Sequence, residues 1–320
     1  MIKLARIPIL GLAALLLLAA CNTAPPGATT GPSTGPESPP PSSQPSGQPS
    51  GQPTGQPSGQ PSGAPSESPS DMPTTDPSET PVAVIKIEQT GGMLPLWEAL
   101  RWYPPVVVYS DGRVMTQGPQ IEIYPGPALP NLRVTHLTQA GVAQLLQWAA
   151  EAGLDGPDRD LGQPNFDAGQ VVFTVVTQEG THRTSVWDPT SNDPAVTALF
   201  EFQNVATDAR SWMPAEAIGD DEPYNWDRLR MISFEADPAS LPEPGLATTR
   251  DWPLDPITEQ GVGIDDAGTY RCAELSGEDA EAMKPLLAES NELTMWRSED
   301  VVYQVYFRPL LPGEEACPGL

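Results

Sequence analysis

The sequence predicts an α+β fold: antiparallel sheets with helices packed on one face, preceded by a disordered linker rich in Pro, Gly, Ser and Gln. Three observations predict it. β-Branched runs are punctuated by turn residues in the manner of hairpins. Two stretches, after Thr138 and after Asp193, repeat apolar residues at helical spacing. Residues 22–81 are almost free of the large apolar side chains that any core requires.

Taken in order, VAVIKIEQ (82–89) is β-branched and reads as a strand. The loop GGMLPLWEALRWYPP follows, then VVVYSDGRVMTQG, a hairpin whose Asp111-Gly112 suits a type I′ turn. IEIYPGPALPNL is a Pro-rich loop or edge. LRVTHL leads into a helix that Thr138 caps and that Leu137 staples against Val142. Its apolar face is Val142, Leu145, Leu146, Ala149 and Ala152, and Gly153 ends it. VVFTVVTQEGTHRTSVW is a second hairpin, turning at Gln178-Glu179-Gly180. Asp193 caps the next helix, with Pro194 at its first position and Val196, Leu199, Phe200 and Ala206 on its buried face.

Residues 211–225 read as a connection. Beyond it, MISFEA and TYRCAEL are strands. Ser276 and Asp279 resemble a capping box, and Pro285 predicts a kink or an early stop in the helix that follows. TMWRSEDVVYQVYFRPL closes the chain as a hairpin with Val301, Tyr303, Val305 and Phe307 on one face. The expected division is a signal peptide at 1–20, a lipidated cysteine and tether at 21–81, and α+β subdomains at 82–212 and 213–320.

The N-terminus carries the clearest functional signal. Lys3 and Arg6 precede an uncharged apolar run from Ile7 to Ala20, which has the length of a signal-peptide core and is short of the roughly 20 residues that span a bilayer. Leu18-Ala19-Ala20-Cys21 resembles the bacterial lipobox, in which the cysteine thiol is acylated and becomes the first residue of the mature chain. Acyl chains contribute about 0.8 kcal/mol per buried CH₂, so two or three make a stable anchor. The period-four tract GQPSGQPTGQPSGQPSGAPS has nothing to bury and favours extended, interrupted polyproline II. As a flexible coil, residues 22–81 would span about 40–45 Å, and fully extended roughly 180 Å.

The stretches YSDGRVMTQGPQIEIYPGPALPNL, CAELSGEDAEAM and LTMWRSEDVVYQVYFRPLLPGEEAC resemble uncharacterised exported lipoproteins of high-GC, actinobacterial-type bacteria. The likeness covers most of 82–320 and leaves the GQPS tract outside. It implies the lipid anchor and the topology and carries no catalytic residue across.

Charge narrows the partners. The chain carries −26 at neutral pH, and loss of Lys3 and Arg6 with the signal makes this −28. Such a surface argues against nucleic acid and anionic bilayers, both of which need clustered Lys and Arg. With Cys21 committed to lipid, Cys272 and Cys317 are an even pair in an exported chain and are expected to form a disulfide, rather than two free thiols or a metal pair. Closing a loop of about 45 residues is worth around 4 kcal/mol in the chain-entropy account.

Catalytic signatures are absent: no G-x-S-x-G within 82–320, no S-x-x-K, no H-E-x-x-H and no Gly-rich phosphate loop. His136 and His182 read as structural histidines. No cofactor is expected, with calcium kept open at two loops, Asp155, Asp158, Asp160 and Asp167 in one and Asp188, Asn192 and Asp193 in the other. Turns and caps use the same residues, and neither loop has the EF-hand spacing. The stretch from Leu96-Trp97 to Trp102-Tyr103-Pro104-Pro105 is either a partner patch or a lid that completes the core, with the core reading preferred. The expectation is therefore a membrane-anchored extracytoplasmic lipoprotein that binds an unidentified protein or ligand at the cell surface, a binding role preferred over an enzymatic one that stays open. The alternatives are an envelope hydrolase using a carboxylate pair and a structural envelope protein.

Overall fold

Ile85 and Ile87 alternate along the strand β1 (Ala83–Thr90), and Val106 and Val108 do so along β2 (Val106–Tyr109). All four side chains fall on one sheet face and are buried there. The computed structural model describes residues 81–164, 167–241 and 243–318, so the signal peptide, Cys21 and the tether short of Pro81 lie outside the described residues. The described residues belong to one compact unit.

The first sheet has eight strands. β1 and β2 are joined by β3 (Arg113–Gln117), β4 (Leu132–Leu137), β5 (Arg159–Leu161), β6 (Gln170–Thr177), β7 (Gly180–Val186) and β8 (Ile218–Pro223), in the order β5-β7-β6-β1-β2-β3-β4-β8. Three short or medium helices, α2 (Gln139–Glu151), α3 (Pro194–Thr207) and α4 (Ala209–Trp212), belong to this half, and α1 (Leu96–Ala99) lies in the β1–β2 connection. Val142, Leu145, Leu199 and Phe202 from α2 and α3 share one core with Ile85, Ile87, Val108 and Phe173.

The second sheet comprises β9 (Arg228–Glu235), β10 (Thr248–Asp251), β11 (Val262–Gly263), β12 (Arg271–Ser276), β13 (Thr294–Ser298) and β14 (Val301–Pro309), in the order β10-β13-β14-β9-β12-β11. The helix α5 (Gly277–Ala288) covers one face, burying Met283 and Leu287 against Leu229, Trp296, Tyr303 and Phe307. An α+β arrangement with helices on sheet faces is what the sequence predicts. The sheets are mixed rather than purely antiparallel, because β5 pairs parallel with β7 and β10 parallel with β13.

The local signals hold where the chain closes on itself. Thr138 accepts from Gly141 N at 3.2 Å and Asp193 from Ala195 N at 2.8 Å, each capping its helix. Gly153 leaves α2 at φ +77°. On α3, Phe202 is buried where Phe200 was expected to be, and Phe200 is half-buried.

Several expectations are corrected. The Asp111-Gly112 hairpin is not type I′, which would need positive φ at Asp111; among the described residues Glu299 is the sole non-glycine at positive φ. Gly112 N donates to Tyr109 O, and Gly112 follows the turn at φ +92°, where a Cβ would stand 2.2 Å from the Leu137 carbonyl. Ser276 makes no side-chain cap bond, and Gly277, the first residue of the helix, stands at φ +57°. α5 runs on through Pro285, its last turn held by the burial of Leu287. LRVTHL is itself the strand β4. Residues 211–225 are more than a connection: they hold the end of α4 and all of β8, which pairs antiparallel with β4. β8 thus lies beyond the expected 212/213 boundary and completes the first sheet. It is an edge strand, and Gly219 to Pro223 are exposed along it. Val301 is partly exposed, while Tyr303, Val305 and Phe307 share the buried face.

The remaining face of each sheet is served by the same two segments, 97–103 and 309–317. Tyr103 and Leu311 pack with Val107, Tyr109, Met115 and Val134 of the first sheet. Trp97, Leu100 and Cys317 pack with Ile232, Cys272 and Tyr306 of the second. A disulfide joins Cys272 to Cys317 across a Cα–Cα distance of 6.0 Å, tying β12 to the C-terminal tail.

Polar bonds complete this clasp. Arg308 stands directly across from Arg230 in the β9–β14 pairing, and both are buried. One carboxylate serves both: Glu314 takes Arg308 Nη1 at 2.7 Å and lies 3.7 Å from Arg230 Nη2. Four further guanidinium N–H groups donate to main-chain carbonyls of Leu100, Trp102, Glu315 and Ala316. Three tyrosines donate to the tail from the first half of the chain: Tyr103 to Pro309 O at 2.8 Å, Tyr109 to Pro312 O at 3.1 Å and Tyr224 to Leu310 O at 2.8 Å.

Glu314→Gln removes the only negative charge that the described residues place at this pair of buried cations, and should cost about 3–5 kcal/mol, read as a fall in the denaturation midpoint. A loss under about 1 kcal/mol would show that the carbonyls alone suffice.

The clasp also sets an alkaline limit. Burial holds the Tyr103 and Tyr109 hydroxyls above the ordinary tyrosine range, and Tyr224 at about 12. Folded values above the unfolded one mean that this stability is complete below about pH 10 and is lost as pH rises further, at about 1.4 kcal/mol per pH unit per tyrosine. Burial, then the neighbouring Arg308, lowers Arg230, which works in the opposite sense. In a spectroscopic alkaline titration, these three tyrosinates should appear together with unfolding, not before it.

Candidate functional site

Local sequence places the expected site residues in structural roles. Asp193 caps α3, Asp188 accepts from Thr190 N and Oγ1, and Asp158 accepts from Arg183 N at 2.7 Å. Among the described residues no group of three or more His, Cys, Asp or Glu side chains is placed to hold a metal ion. His182 bridges two segments: Nδ1 lies 2.7 Å from Gly156 O and Nε2 3.0 Å from Thr177 Oγ1. The carbonyl can only accept, so Nδ1 carries the hydrogen. His136 is partly exposed and lies 3.2 Å from Glu222 Oε1. Cys21 lies outside the described residues.

Among the described residues, three carboxylates depart from their ordinary acidity, all downward. Arg133 holds Asp221 down, Arg228 holds Glu274 down, and the Tyr270 main-chain N–H does so for Asp265. A general acid at neutral pH needs the opposite shift.

The stretch from Leu96 to Pro105 divides between the two roles weighed for it. Trp97 stacks on Tyr306 with centroids 5.1 Å apart and the planes at 7°, and Leu100 is buried. Tyr103 lies beneath Arg308, whose guanidinium carbon is 4.1 Å from the ring centroid. These residues complete the core. Trp102, between them, is 38% exposed, and its carbonyl is held by Arg308 Nε at 3.0 Å.

Trp102 stands at a cavity of about 410 Å³, within the usual size of ligand sites. Four stretches far apart in sequence line it: the end of β1 with the α1 segment, the end of β3, the loop at 126–130, and the turn from α5 into β13 with neighbouring β14. The 126–130 loop is fastened across to that turn. Gly126 N donates to Glu292 Oε1 at 2.8 Å, Glu292 N to Gly126 O at 2.9 Å, and Pro127 bridges to Asn291. Leu129 and Ala128 pack on the core beneath α5. Buried Trp296 and Phe307 line the depth of the cavity.

Its charged groups are already partnered. Glu98 pairs with Arg101 at 3.0 Å, and the Arg101 guanidinium lies 4.0 Å over the Tyr306 ring. Glu292 is engaged with the 126 loop. Gln89 and Gln117 also line the cavity, both exposed, and among the described residues their side-chain amides make no hydrogen bond. Sequence reasoning singled out the stretch that holds Trp102, with the core role preferred, but neither glutamine, nor the 126–130 loop as a wall. Their convergence is set by the packing of two sheets and leaves no spacing in the chain.

A family model described as PT disordered repeat matches residues 40–83, the region of the expected tether. No curated protein and no solved structure matches the chain. Among the described residues, no helix is long and apolar enough to cross a membrane.

If both histidines are structural, as their bonds indicate, His182→Ala should cost about 1–2 kcal/mol, because it unfastens the Gly156 loop from the β6–β7 hairpin. His136→Ala should stay within about 0.5 kcal/mol. Melting curves of the two variants give the comparison; equal effects would contradict the assignment.

Proposed function

We propose that this chain is an extracytoplasmic lipoprotein anchored to a bacterial membrane through acylated Cys21, and that residues 82–320 are a ligand-binding module held off the bilayer by residues 22–81. The lipobox-like Leu18-Ala19-Ala20-Cys21 supports the anchor. The repeat match at 40–83 and the Cys272–Cys317 disulfide fit a tethered domain in an oxidising compartment. The observation that carries the binding role is the cavity at Trp102: a water-accessible site on clasped main chain, with hydrogen-bonding amides left open.

The hydrolase alternative would use Glu98 and Glu292, the two carboxylates that line this cavity. Glu98 is held by Arg101 and Glu292 by the Gly126 main chain, and both hold the walls in place. A binding role uses the site as it stands.

Expressed in a bacterium that processes lipoproteins, the wild-type chain should fractionate with membranes and incorporate labelled fatty acid. Cys21→Ala should lose the label and leave the membrane fraction. A variant that keeps both would refute the anchor. Cross-linking of intact cells with wild-type and tether-deleted chains then tests reach: partners captured by the first and lost with the second are the expected result.

A further inference from the structure

We propose that the cavity at Trp102 binds a neutral saccharide, with a sugar ring against the Trp102 indole and its hydroxyls on Gln89 and Gln117. This rests on the binding reading above and names its ligand class. The argument is one of uncommitted chemistry. The cavity's charges are spent on its own walls: Glu98 on Arg101, Arg101 on Tyr306 and Glu98, and Glu292 on Gly126. An ionic ligand would have to break one of those contacts, whereas a neutral one leaves them in place. What remains open is two primary amides, each both donor and acceptor, and a partly exposed indole.

Hydroxyl groups are also donor and acceptor together, so a polyol satisfies amides in either sense. A pyranose adds a face of C–H groups, which packs on an aromatic plane while its hydroxyl edge stays free for hydrogen bonds. The volume, about 410 Å³, lies at the small end of the range for ligand sites and suits a short oligosaccharide or the end of a longer one. The main chain that carries the indole is also held in place. Arg308 holds the Trp102 carbonyl at 3.0 Å, and Tyr103, the next residue, is fixed by its bond to Pro309 O at 2.8 Å. Little ordering entropy is therefore spent on the platform when a ligand arrives.

The full chain, solubilised in a sugar-free polyoxyethylene detergent, is titrated with neutral mono- and disaccharides (glucose, cellobiose, N,N′-diacetylchitobiose) while tryptophan fluorescence is followed. The expected result is saturable quenching by at least one disaccharide. It should weaken about tenfold or more in Trp102→Ala, since a central aromatic contact is typically worth over a kcal/mol. Trp102→Phe should recover part of it, and Gln117→Ala should weaken it without changing the melting temperature. Trp212→Ala, which removes another exposed indole, should bind as wild type.

Binding of the monosaccharide alone would assign a free sugar; binding of the disaccharides, or of insoluble envelope polysaccharide in a pull-down, would assign a glycan chain. Either supports the proposal. Quenching that persists in Trp102→Ala, or no quenching by any sugar, overturns it. A parallel cross-linking arm on wild type and Trp102→Ala separates the two levels. No sugar binding with Trp102-dependent capture of another ligand rejects the saccharide and keeps the binding module. No sugar binding and no capture in either chain rejects both.

Discussion

Two guanidinium groups, Arg230 and Arg308, face each other across neighbouring strands, buried, with one carboxylate for both. Like charges that close, out of water, would separate unless other dipoles held them, and the strand pairing forbids separation. The solution is to bring main-chain carbonyls to them. Leu100 and Trp102 come from one segment, and Glu315 and Ala316 from another, together with the carboxylate of Glu314. Those two segments cannot reach the arginines without lying against both sheets. The charge constraint therefore fixes where the tail runs and where the α1 segment runs, and through them the relation of the two sheets.

The cavity follows from the same arrangement. Its indole belongs to the residue whose carbonyl Arg308 holds, and its far wall is the 126–130 loop fastened to the turn after α5. A site assembled from four distant stretches keeps its shape only if the stretches are fixed independently of the ligand. Here each is fixed by main-chain hydrogen bonds or by packing into a sheet core, which leaves the exposed side chains free for recognition.

Elements that close on nearby residues were legible in the chain. Thr138 and Asp193 cap the helices as read, Gly153 ends α2, and the hairpins turn at Gly112, Gly180 and Glu299-Asp300 because β-strands joined by short loops carry their register with them. β8 was not legible. Its sequence IGDDEP has no apolar alternation, and it is a strand only because β4, some eighty residues earlier in the chain, offers an open edge, as Thr135 pairing with Asp221 shows. Tyr103, Tyr109 and Tyr224 look like ordinary core aromatics in sequence, and their bonds to the tail span long stretches of chain. The stretch around Trp102 was weighed as lid or patch as a whole. The backbone splits it, so Leu100 and Tyr103 pack against the core while Trp102 goes out. Gln89 and Gln117 carry no local pattern at all, since the cavity they line exists only after both sheets have formed.

The edge strand β8 has a consequence for many copies held side by side. An open strand is a template on which another sheet can grow. β8 presents Asp220, Asp221 and Glu222 in succession and ends on Pro223, which offers no N–H. Two molecules meeting edge to edge along it would bring two acidic runs together, Asp221 of each being paired with Arg133, and would leave a gap in the ladder at each end. Crowding on a surface would thus press these chains together without letting them stitch into a continuous sheet.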